Sequence, residues 1–304
     1  MILHDVSAYG TRHCETSALG VLLRHQGLDL SEPMLFGLGS GLGFVYWQGF
    51  LGGRVKPLHL TRNLAERLGL ELTVRETSSP RKAWQQVREE IDAGRPVGLQ
   101  LDSFHLEYFT TKIHFGGHVV AVYGYDDRRA YLVDTDQQGG AVTTSLESLA
   151  AARAERGPMT ARNLSFTLAA PRPVRVEDAI GPAIRANAAG FLAAPISNLG
   201  HRGIAKAAAR VAEITPQTGV LMERGGTGGA LFRNLYRDFL AECLTIADDP
   251  ALRAGHAMYA EIAPLWSEAA AHIERGEPDS AAAILRELAG REQAAMETLS
   301  KVTL

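Results

Sequence analysis

Cys14, His118 and Asp134 are the residues whose types and order in this sequence could run thiol chemistry. Cys14 stands in His13-Cys14-Glu15-Thr16-Ser17-Ala18-Leu19, a short polar turn opening an apolar helix. His118 opens the strand-like run His118-Val119-Val120-Ala121-Val122-Tyr123-Gly124-Tyr125. After the polar turn Asp126-Asp127-Arg128-Arg129, a second short strand, Ala130-Tyr131-Leu132-Val133-Asp134, ends in the acid. N–H groups at a helix start and a nearby imidazolium both favour thiolate over thiol. The imidazole must in turn be held in one tautomer by a third group. Across a tight hairpin turning near Asp127, His118 pairs within one or two places of Gln137. Asp134 can then lie a diagonal step away on the same face, provided the register suits.

The elements needed to position these groups can be read around them. Thr16 to His25 is a buried helix ended by Gln26-Gly27, and Thr61 to Leu68 is a helix ended by Gly69. Leu70-Glu71-Leu72-Thr73-Val74 alternates like a strand. Ser79-Pro80 starts a helix running through Ile91, and Pro96 to Leu101 is a strand. With the His118 and Asp134 strands these form a small antiparallel sheet. Thr144 to Arg156 is then helical and Asn163 to Leu168 is the last strand. Composition shifts at Ala169-Ala170-Pro171-Arg172-Pro173, after which alanine-rich helical periodicity dominates. Helices are expected over 177–189, 202–213, 228–247, 251–275 and 279–301, the last capped by Asp279 behind Pro278. The expected organisation is α+β: a domain over 1–170 with the nucleophile helix packed on an antiparallel sheet, then an all-α domain over 175–304.

Bulk properties narrow the class. At 304 residues the chain suits two cores, and 46% hydrophobic with 21% charged residues describes an ordinary globular protein. A net charge of −3 and no Lys/Arg run argue against nucleic acid. The start, Met1-Ile2-Leu3-His4-Asp5, lacks a basic region followed by an apolar stretch, and no apolar run reaches the roughly 20 residues a bilayer needs. Two cysteines, Cys14 and Cys243, suit a reducing cytoplasm and make metal ligation through thiolates unlikely. No metal is expected and no membrane partner, while a homo-oligomer is allowed.

Other motifs have plain readings. Cys243 lies in a helical apolar pattern and reads as core, whereas the polar neighbours of Cys14 suit an exposed helix start. His105 and His114 read as loop residues flanking Phe115-Gly116-Gly117. Those glycines either let backbone approach a substrate or serve as bends. Gly37 to Gly43 is not a phosphate loop. Gly225-Gly226-Thr227-Gly228-Gly229 lacks the Gly-Lys-Ser/Thr ending of one, and helix start is preferred there over anion contact.

The segments around Cys14, Gly41-Leu42-Gly43-Phe44, Phe115 to Tyr125 and Tyr131-Leu132-Val133-Asp134-Thr135 resemble the BtrH family, named for the acyltransferase of butirosin biosynthesis. Gly225 to Arg233 resembles its helical C-terminal domain. The resemblance implies a papain-like domain that takes an acyl group from a carrier-protein thioester to an amine, as in antibiotic biosynthesis. On it Cys14 matches the nucleophile, His118 the base and Asp134 the orienting acid. The partners implied are an acyl carrier protein, bearing its own phosphopantetheine arm, and a small-molecule amine. The enzyme needs no cofactor of its own. Related papain-like leader peptidases carry a glutamine before the nucleophile; Ala8 and Tyr9 stand in that region here. The oxyanion donors are then the Cys14 N–H and a side chain from Tyr9 or His13. Gly43, Phe44, Tyr46 and Gly117 are the expected substrate-lining residues. Two rivals remain: a hydrolase using water as acceptor, and a non-catalytic carrier-binding protein of the same fold.

Overall fold

A computed structural model describes residues 1–8, 11–224 and 229–304. In chain order the elements are α1 (Cys14–Arg24), α2 (Glu32–Leu38), β1 (Leu42–Trp47), β2 (Phe50–Arg54), α3 (His59–Leu68), β3 (Glu71–Arg75), α4 (Pro80–Asp92) and β4 (Val97–Leu101). They continue with β5 (His118–Tyr125), β6 (Arg129–Val133), β7 (Ala141–Ser145), α5 (Leu146–Ala154), β8 (Ser165–Ala169) and α6 (Glu177–Leu192). The rest is helical: α7 (Gly200–Ala209), α8 (Pro216–Arg224), α9 (Ala230–Ile246), α10 (Pro250–Glu274) and α11 (Pro278–Leu299). Among the described residues, no helix is long and apolar enough to cross a membrane.

The chain forms two compact units. Unit one comprises Met1–Leu35 and Lys56–Val174; unit two comprises Phe36–Val55 and Arg175–Leu304. The β1–β2 hairpin, which the sequence reading leaves in the first domain, therefore groups with the helices. Ring packing explains why: Phe44 of β1 lies on Trp266 at 5.5 Å between ring centroids, and Phe36, at the end of α2 and also in unit two, stacks on Phe232 at the same distance. Among the described residues every regular element of Arg175–Leu304 is a helix, and this hairpin adds two antiparallel strands to its unit.

Unit one is α+β. Its six-stranded sheet has the order β3-β8-β4-β5-β6-β7, with every neighbouring pair antiparallel. Val87 and Ile91 of α4 with Leu149 and Ala152 of α5 form one core with Val97, Leu99, Val120, Val122 and Leu132 of the strands. Helix α1 packs against β4, β5, β6 and β8, burying Ala18, Leu19, Leu22 and Leu23. The helix that carries Cys14 thus packs on an antiparallel sheet, as the sequence leads one to expect.

Local signals explain the boundaries, including three that move. Ser79 caps α4 by accepting from the Lys82 N–H, with Pro80 in the first turn, where its missing N–H costs nothing. The expected helix from Thr144 is instead β7 followed by α5, because Ser145 ends the strand and caps the helix through the Ser148 N–H. Glu277, not Asp279, is the N-cap of α11: Pro278 takes the first helical position and places Asp279 inside the first turn. The expected 202–213 helix stops at Ala209, and a single 3₁₀ turn covers Val211–Glu213.

Candidate active site

Cys14 is the first residue of α1, with His13 at the N-cap in extended conformation. The sequence suggests an exposed helix start, but the structure buries it: His13, Cys14, Glu15, Thr16 and Ser17 are all nearly or fully inaccessible. Burying polar groups costs about 1–3 kcal/mol each unless they are hydrogen-bonded, and here the chain supplies partners. Glu32 accepts from the backbone N–H of Arg12 (3.1 Å) and His13 (2.8 Å) and from the Thr16 hydroxyl (2.9 Å). Thr16 also donates to the His13 carbonyl at 2.8 Å. Glu15 accepts from the Thr61 N–H (3.1 Å) and hydroxyl (2.8 Å), and Ser17 donates to the Asp134 carbonyl at 3.0 Å. The turn before Cys14 is thus fixed by a carboxylate 18 residues downstream. Burial raises the pKa of Glu32, against the lowering effect of those hydrogen bonds.

His118 and Asp134 meet because of an irregularity in β5. The register pairs Tyr125 with Ala130 and Gly124 with Tyr131, then Val122 with Leu132 and Ala121 with Val133, leaving Tyr123 as an extra residue. An unbulged hairpin would set Gln137 opposite His118 and turn Asp134 to the other face. The bulge moves the register by one, so Asp136 falls opposite and Asp134 lies diagonally on the face of His118. The His118 Nε2–H donates to Asp134 Oδ2 at 2.7 Å.

Asp134 is fully buried and fully engaged. Oδ2 also accepts from the Tyr108 hydroxyl at 2.8 Å, and Oδ1 accepts from the Thr135 N–H at 2.7 Å. With Nε2 committed to Asp134, Nδ1 is the ring nitrogen left to face a thiol. Burial opposes the His118 charge, but Asp134 and Cys14, by charge and by hydrogen bonds, overcome it and raise the pKa to about 10. Burial first, and then the negative charge of Asp134, pushes the Tyr108 phenol well up, so it stays a donor. The Phe109 ring meets the His118 ring edge-to-face at 5.2 Å. A thiol, an imidazole and a carboxylate are brought together in the order the sequence suggests, with Tyr108 as a fourth member.

The remaining expected site residues fare differently. His13 is in the site's shell through its backbone. Gly117 lies beside it, but its space is taken by the protein: an added Cβ would come within 2.9 Å of Pro57. Gly116 likewise makes room for Thr160, so these glycines admit neighbouring chain. Phe44 and Tyr46 are buried within unit two, Phe44 on Trp266 and Tyr46 donating to Glu213. Gly43 allows close approach of the Arg54 backbone on the paired strand. Tyr9 and residues 225–228 of the glycine-rich stretch lie outside the described residues. Cys243 is fully buried in α9, where burial raises its thiol pKa further.

Sequence reasoning missed Tyr108, Glu32, Glu15 and Thr61. Only Tyr108 left a trace, as half of the aromatic pair Tyr108-Phe109 in a loop leading to His118.

Comparison with known proteins adds three findings. Residues 13–135 match the family model described as butirosin biosynthesis protein H, N-terminal, and residues 147–299 match a domain of unknown function (DUF4872). No curated protein matches the chain. Among solved structures, the peptidase domain of Streptococcus ComA, a bifunctional ABC transporter involved in a quorum-sensing pathway, is similar over 54% of this chain and 98% of its own. The identity is 17% and the TM-score 0.35.

Proposed function

Since the chain belongs to the butirosin biosynthesis protein H family, we propose that it is a cysteine-dependent acyltransferase moving an acyl group from a carrier-protein thioester to an amine. The observation that carries the reading is the contact of a helix-start thiol with an imidazole whose other nitrogen is held by a buried carboxylate.

The chemistry follows from those positions. The Cys14 thiolate attacks the thioester carbonyl, and the tetrahedral oxyanion draws on N–H groups at the start of α1. The C–S bond to the carrier breaks, and His118 gives its proton to the departing thiolate. Neutral His118 then accepts a proton from the incoming amine as nitrogen attacks the acyl-Cys14 carbonyl. The Cys14 thiolate leaves, and thiolate and imidazolium are restored. Asp134 keeps the proton on Nε2 throughout, so that Nδ1 does the transfer, and Tyr108 holds the Asp134 carboxylate in place. A thioester needs little help to open, and the harder task is keeping water from the acyl-enzyme.

Intact-protein mass spectrometry after incubation with acyl-carrier thioesters tests this. The expected result is an adduct of acyl mass on Cys14 that is discharged as an amide when an amine is added. Discharge to free acid at the same rate with or without amine would make the protein a hydrolase. A Cys14 that forms no adduct and ignores iodoacetamide at neutral pH would make it a binding protein.

A further inference from the structure

The connection between β4 and β5, residues 102–117, carries a second cluster that the thiol chemistry does not use. His105 closes a 3₁₀ turn, Ser103–His105, and His114 lies nine residues on. Glu155 caps the C-terminal end of α5. One ligand atom from each of the three lies within 4.8 Å of the other two. We propose that His105, His114 and Glu155 form a divalent transition-metal site, with zinc as the preferred ion and water completing the coordination.

Four observations support it. The donor set, two imidazoles and one carboxylate, is one that zinc favours over magnesium or calcium, which prefer all-oxygen sites. His114 presents Nδ1 to the buried Asp102 carboxylate at 3.4 Å, which leaves Nε2 for an ion. A carboxylate behind a histidine is the usual outer partner of a metal-bound imidazole. The His114 ring is further set by stacking on Phe104, 4.1 Å away and within 7° of parallel.

Second, the backbone is already in place. The His105 carbonyl accepts from the Ser148 hydroxyl of α5 at 2.7 Å, and the Asp102 N–H donates to the Ala152 carbonyl at 2.9 Å. The loop carrying the histidines is thereby tied to the helix carrying the acid, so little ordering remains for an ion to impose.

Third, Glu155 is at the wrong end of its helix. A carboxylate beside the C-terminal carbonyls of α5 faces the negative end of the helix dipole and calls for a positive partner. Arg156 answers the carbonyls, its guanidinium donating to those of Ala154 and Glu155 at 2.7 and 2.8 Å, while the carboxylate itself meets His105, whose Nε2 lies 2.6 Å from Glu155 Oε2. Metal binding would displace the shared proton and leave both atoms as ligands.

Fourth, the site is reachable. His105, Glu155 and His114 side chains are 26%, 28% and 58% exposed. The same loop bears Tyr108, Phe109 and Phe115, which touch Asp134 or His118, so an ion here would stiffen the wall of the thiol site. The inference stands apart from the acyl-transfer reading and can be tested without it.

The test uses the full chain carrying Cys14→Ser, so that the thiol cannot take the ion. Zn²⁺ titration against a chromophoric chelator should give one ion per chain, and Co²⁺ should give the visible absorption of a low-coordinate site. His114→Ala and His105→Gln should each weaken Zn²⁺ binding by about tenfold or more, with circular dichroism unchanged. Zn²⁺ should also raise the melting temperature of this Cys14→Ser parent and not that of the double variant in which His105→Gln and His114→Ala are both added to it. Less than one ion per chain, or equal affinity in parent and double variant, would overturn the proposal. Should His114→Ala misfold, His105→Gln decides by the same criterion.

Discussion

Unit one and unit two each bury a charge cluster, and the two differ in what they leave unfinished. In unit two, Arg233 and Glu292 form a two-pronged ion pair, Nε to Oε1 at 2.7 Å and Nη2 to Oε2 at 3.0 Å, with both side chains fully inaccessible. The Trp266 indole N–H also donates to Glu292, and the guanidinium lies 4.4 Å from the Trp266 ring. Both ions are engaged on several sides, and neither is placed to exchange a proton with anything arriving. In unit one, Asp134 is equally saturated, but its partner His118 spends one nitrogen on it and turns the other toward a thiol. Buried charge is therefore no sign of function by itself. What sets the unit-one cluster apart is that its chain of partners ends on a thiol.

The sharpest way to break this contrast is to remove the end of the chain. Cys14→Ser should cut acyl-enzyme formation and turnover by about a thousandfold or more, measured by intact mass. Cys243→Ser, inside an apolar helix packing, should leave both within about twofold and cost only stability, on the order of 1 kcal/mol. An adduct mapped to Cys243 would dissolve the distinction between the two units.

Next in size is the saturated cluster. Glu292→Gln leaves Arg233 buried opposite a neutral amide and should cost about 3–5 kcal/mol in urea denaturation. Pairing it with Arg233→Met should recover much of that, because a buried ion pair is replaceable by apolar contacts. No recovery in the double variant would mean the charges do more than hold the core.

Asp134→Asn should cost less in rate, about ten- to a thousandfold or roughly 1.4–4 kcal/mol of barrier. It should also shift the pH profile. His118 has a folded-state pKa raised from 6.5 to about 10, so its contribution to stability is fully present below pH 6.5 and is lost as pH rises through about 10. Removing the neighbouring charge should move the alkaline limb of acyl-enzyme formation down by about one unit or more. A wild-type profile in folded Asp134→Asn protein would take the aspartate out of the site. The smallest effect belongs to Tyr108→Phe. It deletes one of the hydrogen bonds Asp134 accepts, and should slow acyl-enzyme formation about three- to tenfold, near 1 kcal/mol, with KM for the acyl donor unchanged.

What could be read in advance divides along physical lines. Residue type and helix-start position single out Cys14, and strand order brings His118 and Asp134 within reach of each other. The extra residue Tyr123, which decides the face of Asp134, has no signature, because a bulge is set by the pairing of both strands. Glu32 and Thr61 were illegible for a similar reason: they serve the α1 start from elsewhere in the chain, and nothing local marks them. Phe44 and Tyr46 show another limit: apolar residues beside glycines fit a substrate channel and a core equally well, and the ring that Phe44 packs on, Trp266, lies over 200 residues away.

The assignment of residues 36–55 to unit two has a consequence for how the chain is made. Phe36 and the hairpin are made well before Phe232 and Trp266, the rings that Phe36 and Phe44 pack on. About 210 residues separate Val55 from Trp266, and at about 5–20 residues per second their synthesis takes roughly 11–42 s. For that interval Phe44-Val45-Tyr46-Trp47 is a β-prone apolar segment without its partners, the kind that pairs with whatever edge it meets. Unit two is therefore discontinuous in translation as well as in sequence. Nascent chains stalled before Arg175 should depend on chaperones that cover this segment, whereas completed chains should not.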